Sequence, residues 1–68
     1  MKVLLGERIR TLRIINGWDQ AQLARKSGVA RATIQRIEQG YCDPRIATAR
    51  RLVQAFEIDF NELLEDTI

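Results

Sequence analysis

Glycines at positions 17, 28 and 40 and the Asp43-Pro44 pair cut this chain into short segments, and nearly every segment repeats its apolar side chains at helical spacing. Glycine takes the left-handed conformation that closes a helix, and proline cannot continue one. Few residues favour strands. A chain punctuated this way folds into several short helices joined by tight turns.

The first helix is predicted over residues 5–16, with Leu5, Ile9, Leu12 and Ile15 or Asn16 at steps of three or four, and it stops at Gly17. The second spans 20–27 and opens on a strong local signal. Asp19 followed three residues later by Gln22 reads as a capping box, with Trp18 and Leu23 placed as a hydrophobic staple. The third covers 31–39 and closes at Gly40, with Ala30 where a capping Ser or Thr would help. The fourth covers 46–56, burying Ala49, Leu52, Val53 and Phe56. The fifth, 60–65, repeats the opening signal with Asp59 and Glu62 as the box and Ile58 and Leu63 as the staple.

Several classes of function are excluded early. The chain has 68 residues, enough for one domain near the lower limit for a single core, and 1–68 is read as that domain. Cys42 is alone, so it forms no internal disulfide, and without histidine there is no zinc-ligand cluster and no common general base. No metal, cofactor or small-molecule ligand is expected, and the chain is not an enzyme. No apolar run approaches the roughly 20 residues of a membrane span. The apolar start after Met1-Lys2 is too short for a signal-peptide core, so a soluble cytoplasmic protein is expected.

Charge is unevenly distributed. Residues 1–45 carry nine Lys/Arg against four Asp/Glu, a balance of +5, whereas 46–68 carry two against five, a balance of −3. Such polarity suits one face turned toward an anionic partner. By itself it does not separate DNA from RNA, anionic lipid or an acidic protein.

Residues 20–39 supply the missing distinction. Two helices of about two turns are joined by Ser27-Gly28-Val29-Ala30, and a connection this short forces them to cross steeply, as in a DNA-binding helix-turn-helix. Val29, Ile34 and Ile37 face inward. At about 100° per residue, Ala32, Arg36 and Gln39 then point most directly away from the core. Arg31 and Gln35 flank them on one side and Thr33 on the other. Arginine reads the O6/N7 edge of guanine, glutamine the N6/N7 edge of adenine, and alanine can touch a thymine methyl. A merely solvated helix face carries the same residue types; the position after a tight glycine bend in the basic part of the chain favours the DNA reading.

At this point the sequence resembles the Cro/repressor-type, or XRE, helix-turn-helix family. The resemblance spans about 7–64 and rests on Arg13, Gly17, Gln20, Leu23-Ala24, Gly28-Val29, Ile34, Ile37-Glu38, Gly40, Pro44 and the closing block from Leu52 to Leu64. It implies an all-α, compact five-helix, lambda-repressor-like DNA-binding domain. Arg31, Ala32, Gln35 and Arg36 would read bases in the major groove of double-stranded DNA. Gln20, Thr33, Gln39, Tyr41 and Arg45 would hold phosphates. Arg13 and Glu38 match a structural pair tying the first helix to the third. Trp18, where an aliphatic residue is common, and Ala30, in place of the usual Ser or Thr, depart from the family pattern.

Repressor-type domains generally act as homodimers on palindromic operators. Phe60, Leu63, Leu64 and Ile68 either close the core or form part of such a twofold contact. The expectation is therefore a dimeric transcriptional regulator, a repressor, with residues 31–39 in the major groove. A protein-interaction module on the same fold, such as an antitoxin that masks a partner, is the competing class.

Overall fold

The structure, a computed structural model, describes residues 5–64. Among these residues there are five helices and no strand: α1 Leu5–Ile15, α2 Gln20–Ser27, α3 Arg31–Glu38, α4 Ile46–Phe56 and α5 Phe60–Leu64. The all-helical reading holds, and each described boundary falls within one residue of its expected place. The expected end of α5 at Glu65 lies outside the described residues.

The chemistry at the helix ends explains that agreement. Asp19 Oδ1 accepts from Gln22 N at 2.8 Å, and Gln22 Oε1 accepts from Asp19 N at 2.8 Å, closing the reciprocal box before α2. Asp59 Oδ1 accepts from Glu62 N at 2.8 Å at the start of α5. At the far end of α1, Gly17 N donates to Ile14 O and Trp18 N to Arg13 O, the paired bonds of a Schellman stop.

The helix α4 ends in the same geometry without a glycine. Glu57 N donates to Gln54 O and Ile58 N to Val53 O, with Glu57 held at φ 58°. No glycine marked this stop in the sequence. Glu57 takes the left-handed conformation because the following Ile58 packs against the core, and that contact offsets the Cβ penalty of about 1–2 kcal/mol.

The core consists of Ile9, Leu23, Val29, Ile34, Ile37, Ala49, Leu52, Val53, Phe56 and Leu63. Five of these, Ile9, Leu23, Ile34, Ile37 and Leu52, come one or two from each of the first four helices and are at most 1% exposed. Full burial of each is worth about 1.5–3 kcal/mol. The helix α1 packs on α3 and α5, and α2 packs on α3 and α4. Trp18 lies half-buried against this core with its ring stacked on Phe56, centroids 5.7 Å apart and planes 12° apart, while Lys26 Nζ sits 5.1 Å above it. It is a packing residue, with Phe56 stacked on its ring and Lys26 over it.

Of the two alternatives for the last step of the α1 stripe, Ile15 lies off it. Ile15 is 71% exposed, and its neighbour Ile14 is 58% exposed. Counting about 100° per residue from Ile9, Ile15 lies roughly 120° away from the buried stripe, whereas Asn16 lies within about 20° of it. Asn16, past the helix end and exposed, turns its Nδ2 back onto Leu12 O at 2.7 Å.

The start of α3, like that of α4, lacks the side-chain cap that Asp19 and Asp59 supply to α2 and α5. Ala30 occupies the N-cap at φ −59°, ψ 139°, with no side-chain bond to the first turn. Replacing Ala30 with serine is expected to stabilise the fold by about 0.5–2 kcal/mol, because its hydroxyl can accept from an orphan first-turn amide. Thermal unfolding checks this; an unchanged midpoint would show that the amide is already satisfied.

Candidate nucleic-acid interface

The helix-turn-helix unit is held by backbone constraints first and side chains second. Gly28 sits at φ 75°, ψ 12°, and its N–H donates to Ala24 O at 2.9 Å, ending α2 and starting the bend. Ser27 Oγ donates to Leu23 O at 2.7 Å and accepts from Val29 N at 3.1 Å, bridging the turn. Buried Leu23, Val29, Ile34 and Ile37 lock α2 against α3.

The inner side of α3 is therefore fixed, and its outer side follows. Arg31, Ala32, Gln35 and Arg36 are all exposed, with Ala30 exposed just before them. Gln39, Tyr41 and Arg45, from the end of α3 to the start of α4, are exposed as well, Tyr41 to 76%. Thr33 is half-buried on the flank toward α4, where it lines two shallow depressions.

Gln20 is placed differently from a free phosphate ligand. It is half-buried, and its Nε2 donates to Glu38 Oε1 at 3.2 Å. The carboxylate already at the start of α2 is that of Asp19, which caps the helix and occupies the positive end expected to help an incoming phosphate. The amide of Gln20 has two donors, so one N–H is left after the bond to Glu38.

Glu38 is the centre of a larger network. Arg13 Nε donates to Glu38 Oε2 at 2.8 Å and Arg13 Nη2 to Glu38 Oε1 at 3.0 Å, a two-pronged pair. Arg13 Nη1 donates to Trp18 O at 2.8 Å. The side chains are 13% and 4% exposed. Hydrogen bonding to Glu38 raises the Arg13 pKa above its ordinary value, burial opposes the rise, and attraction to Glu38 and Asp19 adds to it. The network thus connects α1, the loop before α2, the first residue of α2 and the last of α3.

Three positioning residues went unnoticed in the sequence. A Cβ added at Gly6 would overlap the Ile37 carbonyl oxygen, so α1 and the end of α3 touch backbone to backbone there. A glycine inside a helical segment is a usable signal of close approach. Arg8 Nε and Nη2 donate to Glu62 O at 3.3 and 3.1 Å, joining α1 to α5. Arg51 Nη1 donates to Gly28 O at 3.2 Å, joining α4 to the bend. These three bonds to two distant backbone carbonyls left no trace in spacing.

The residues considered for a twofold contact divide. Leu63 is 1% exposed and closes the core, so it has no surface to offer a second copy. Phe60 is half-buried and packs against that core. The side chain of Leu64 and all of Ile68 lie outside the described residues. No described helix is long and apolar enough to cross a membrane.

The helix-turn-helix family model matches residues 9–63. The chain is 32% identical over 54 residues to Antitoxin HipB of Escherichia coli strain K12, covering 79% of this chain and 61% of HipB. It therefore spans less than two thirds of that relative's length. Its fold is similar to the restriction-modification controller protein C.AhdI from Aeromonas hydrophila, with a TM-score of 0.84 and 33% identity over 90% of this chain and 92% of C.AhdI. The hypothetical transcription factor NHTF from Neisseria shares the fold at a TM-score of 0.83 and 24% identity, over 91% of this chain and 71% of NHTF. These relatives are named as an antitoxin, a controller protein and a transcription factor, not as enzymes. With an exposed α3 held out by a glycine bend and a match over most of its length, the chain belongs to the helix-turn-helix family, of the XRE type, whose members are DNA-binding transcription regulators.

Proposed function

We propose that this chain is a sequence-specific, double-stranded-DNA-binding transcriptional repressor that works in the cytoplasm on the nucleoid. Residues 31–39 enter the major groove. The observation that carries this reading is the outer face of α3, where Arg31, Ala32, Gln35 and Arg36 are exposed together without an acid among them. Arg31 and Arg36 suit guanine edges, Gln35 suits adenine, and Ala32 suits a thymine methyl. Thr33, Gln39, Tyr41 and Arg45 hold phosphates at the flank and end of α3, and the remaining N–H of Gln20 holds one at the start of α2.

Repression follows from occupancy of an operator. Size argues for a homodimer on a palindromic site, because one eight-residue helix reaches only a few base pairs. Two copies place their third helices about one helical turn of DNA apart, roughly 34–36 Å.

Arg36→Ala tests the reading. The variant is expected to keep its helical circular dichroism and lose about 1–3 kcal/mol of operator affinity, with discrimination relaxed at one base pair. The antitoxin name of the HipB relative favours a second reading, in which the same fold masks a protein partner. That reading is supported instead if Arg36→Ala binds DNA as the parent does.

A further inference from the structure

The flank of α3 that faces α4 continues past the residues that the family resemblance assigns to DNA. Two shallow depressions lie there and share Thr33 and Thr48 as common walls. One continues to Gly28, Ala30 and Arg51; the other continues to Arg36, Asp43 and Arg45. Through these shared walls they adjoin as a channel along α3, lined by Arg51 in one half and by Arg36 and Arg45 in the other.

We propose that this channel seats the sugar-phosphate backbone of one strand of the bound duplex, with Arg51 and Thr48 of α4 as phosphate ligands. The proposal rests on the DNA reading above and extends its footprint beyond the helix-turn-helix. Arg51 is exposed, and no acidic residue lines its half of the channel. Among the described residues, its bond to Gly28 O uses one of the five guanidinium donors and fixes the group beside the bend. The remaining donors are available for a phosphate. Small residues at Gly28, Ala30 and Ala47 let a backbone approach closely. Asp43 lines only the other half, where Arg36 and Arg45 outnumber it.

Geometry on the DNA side agrees. When α3 lies in the major groove its flanks face the two backbones, and this flank is continuous with Arg36 of the base-reading set. Charge along the chain agrees as well. Arg50 and Arg51 are the only two basic residues of the acidic last third, and Arg51 is the one that lines the channel.

Arg50 supplies the internal control, since it is exposed, adjacent and equally charged. Binding of random-sequence duplex by the parent, Arg50→Ala, Arg51→Ala and Arg51→Lys is followed across a salt series, with thermal unfolding of each. Arg51→Ala is expected to reduce the slope of log affinity against log salt by about 1 and to weaken low-salt binding about ten-fold. Arg51→Lys and Arg50→Ala are expected to keep the parental slope. If Arg51→Ala lowers the unfolding midpoint but keeps that slope, Arg51 only braces the bend and the proposal is overturned. Absence of binding by the parent itself would overturn the DNA reading together with this extension.

Discussion

Replacing Arg13 with methionine is expected to cost about 3–5 kcal/mol, a large share of the stability of the fold. A domain of this size has only about 3–10 kcal/mol to lose. The cost comes from what stays behind. Glu38, with a side chain 4% exposed, would be left with only Gln20 Nε2 beside it, and Trp18 O would lose its donor. The reverse change, Glu38→Gln, is expected to cost less, about 1–3 kcal/mol, because Arg13 is the more exposed partner and the amide oxygen still accepts from it.

Removing both charges with Arg13→Met and Glu38→Leu is expected to recover much of the loss, since a filled apolar contact replaces a desolvated pair. Urea unfolding of the three variants checks the order. A loss below about 1 kcal/mol for Arg13→Met would place the pair with ordinary solvated surface bridges. Because the folded-state pKa of Arg13 is raised, its contribution is complete below the ordinary arginine value and is lost only as pH rises through the still higher folded value. The pair therefore contributes no acid-side change in stability through Arg13.

Gly6→Ala is the second large effect, and its sign is opposite to the usual one. In an unencumbered helix the change gains up to about 1 kcal/mol from propensity. Here the new Cβ would overlap Ile37 O and lie 3.0 Å from Ile37 C and 3.3 Å from Glu38 Cα, all of them backbone atoms. Ile37 O is itself held by Gly40 N at 3.0 Å. Relief requires moving α1 away from α3, which strains the Arg13–Glu38 pair and the bonds from Arg8 to Glu62 O. The expected net loss is about 3 kcal/mol, seen as a midpoint lowered by about 12 °C or more in thermal unfolding. An unchanged or raised midpoint would mean that the two backbones do not meet.

These two predictions mark where sequence reasoning reached and where it stopped. The helix boundaries were legible because they depend on local chemistry: a capping carboxylate and a glutamine three residues on, or a glycine that can take positive φ. The outer face of α3 was legible because 3.6-residue periodicity and two inward isoleucines fix which residues point out. Arg13 and Glu38 were legible only through family resemblance, since nothing within 25 residues of separation pairs them. Gly6, Arg8 and Arg51 depend on how close two distant segments come, which no local pattern records. At the end of α1 the spacing left Ile15 or Asn16 open, and the structure shows the aliphatic alternative off the stripe. The end of α4 at Phe56 was placed correctly by its apolar stripe, but the left-handed conformation of Glu57 carried no glycine signal, because downstream packing sets it.

The most direct test of the DNA reading is fluorescence anisotropy of random-sequence duplex DNA with the purified protein, followed across a salt series. Basic residues 1–45 replacing counterions at phosphates require an affinity that falls linearly and steeply with log salt. That result would establish DNA as a partner and open the selection of a specific site. Absence of binding at low salt, from protein whose circular dichroism remains helical, would contradict the account and move the partner-masking reading to first place.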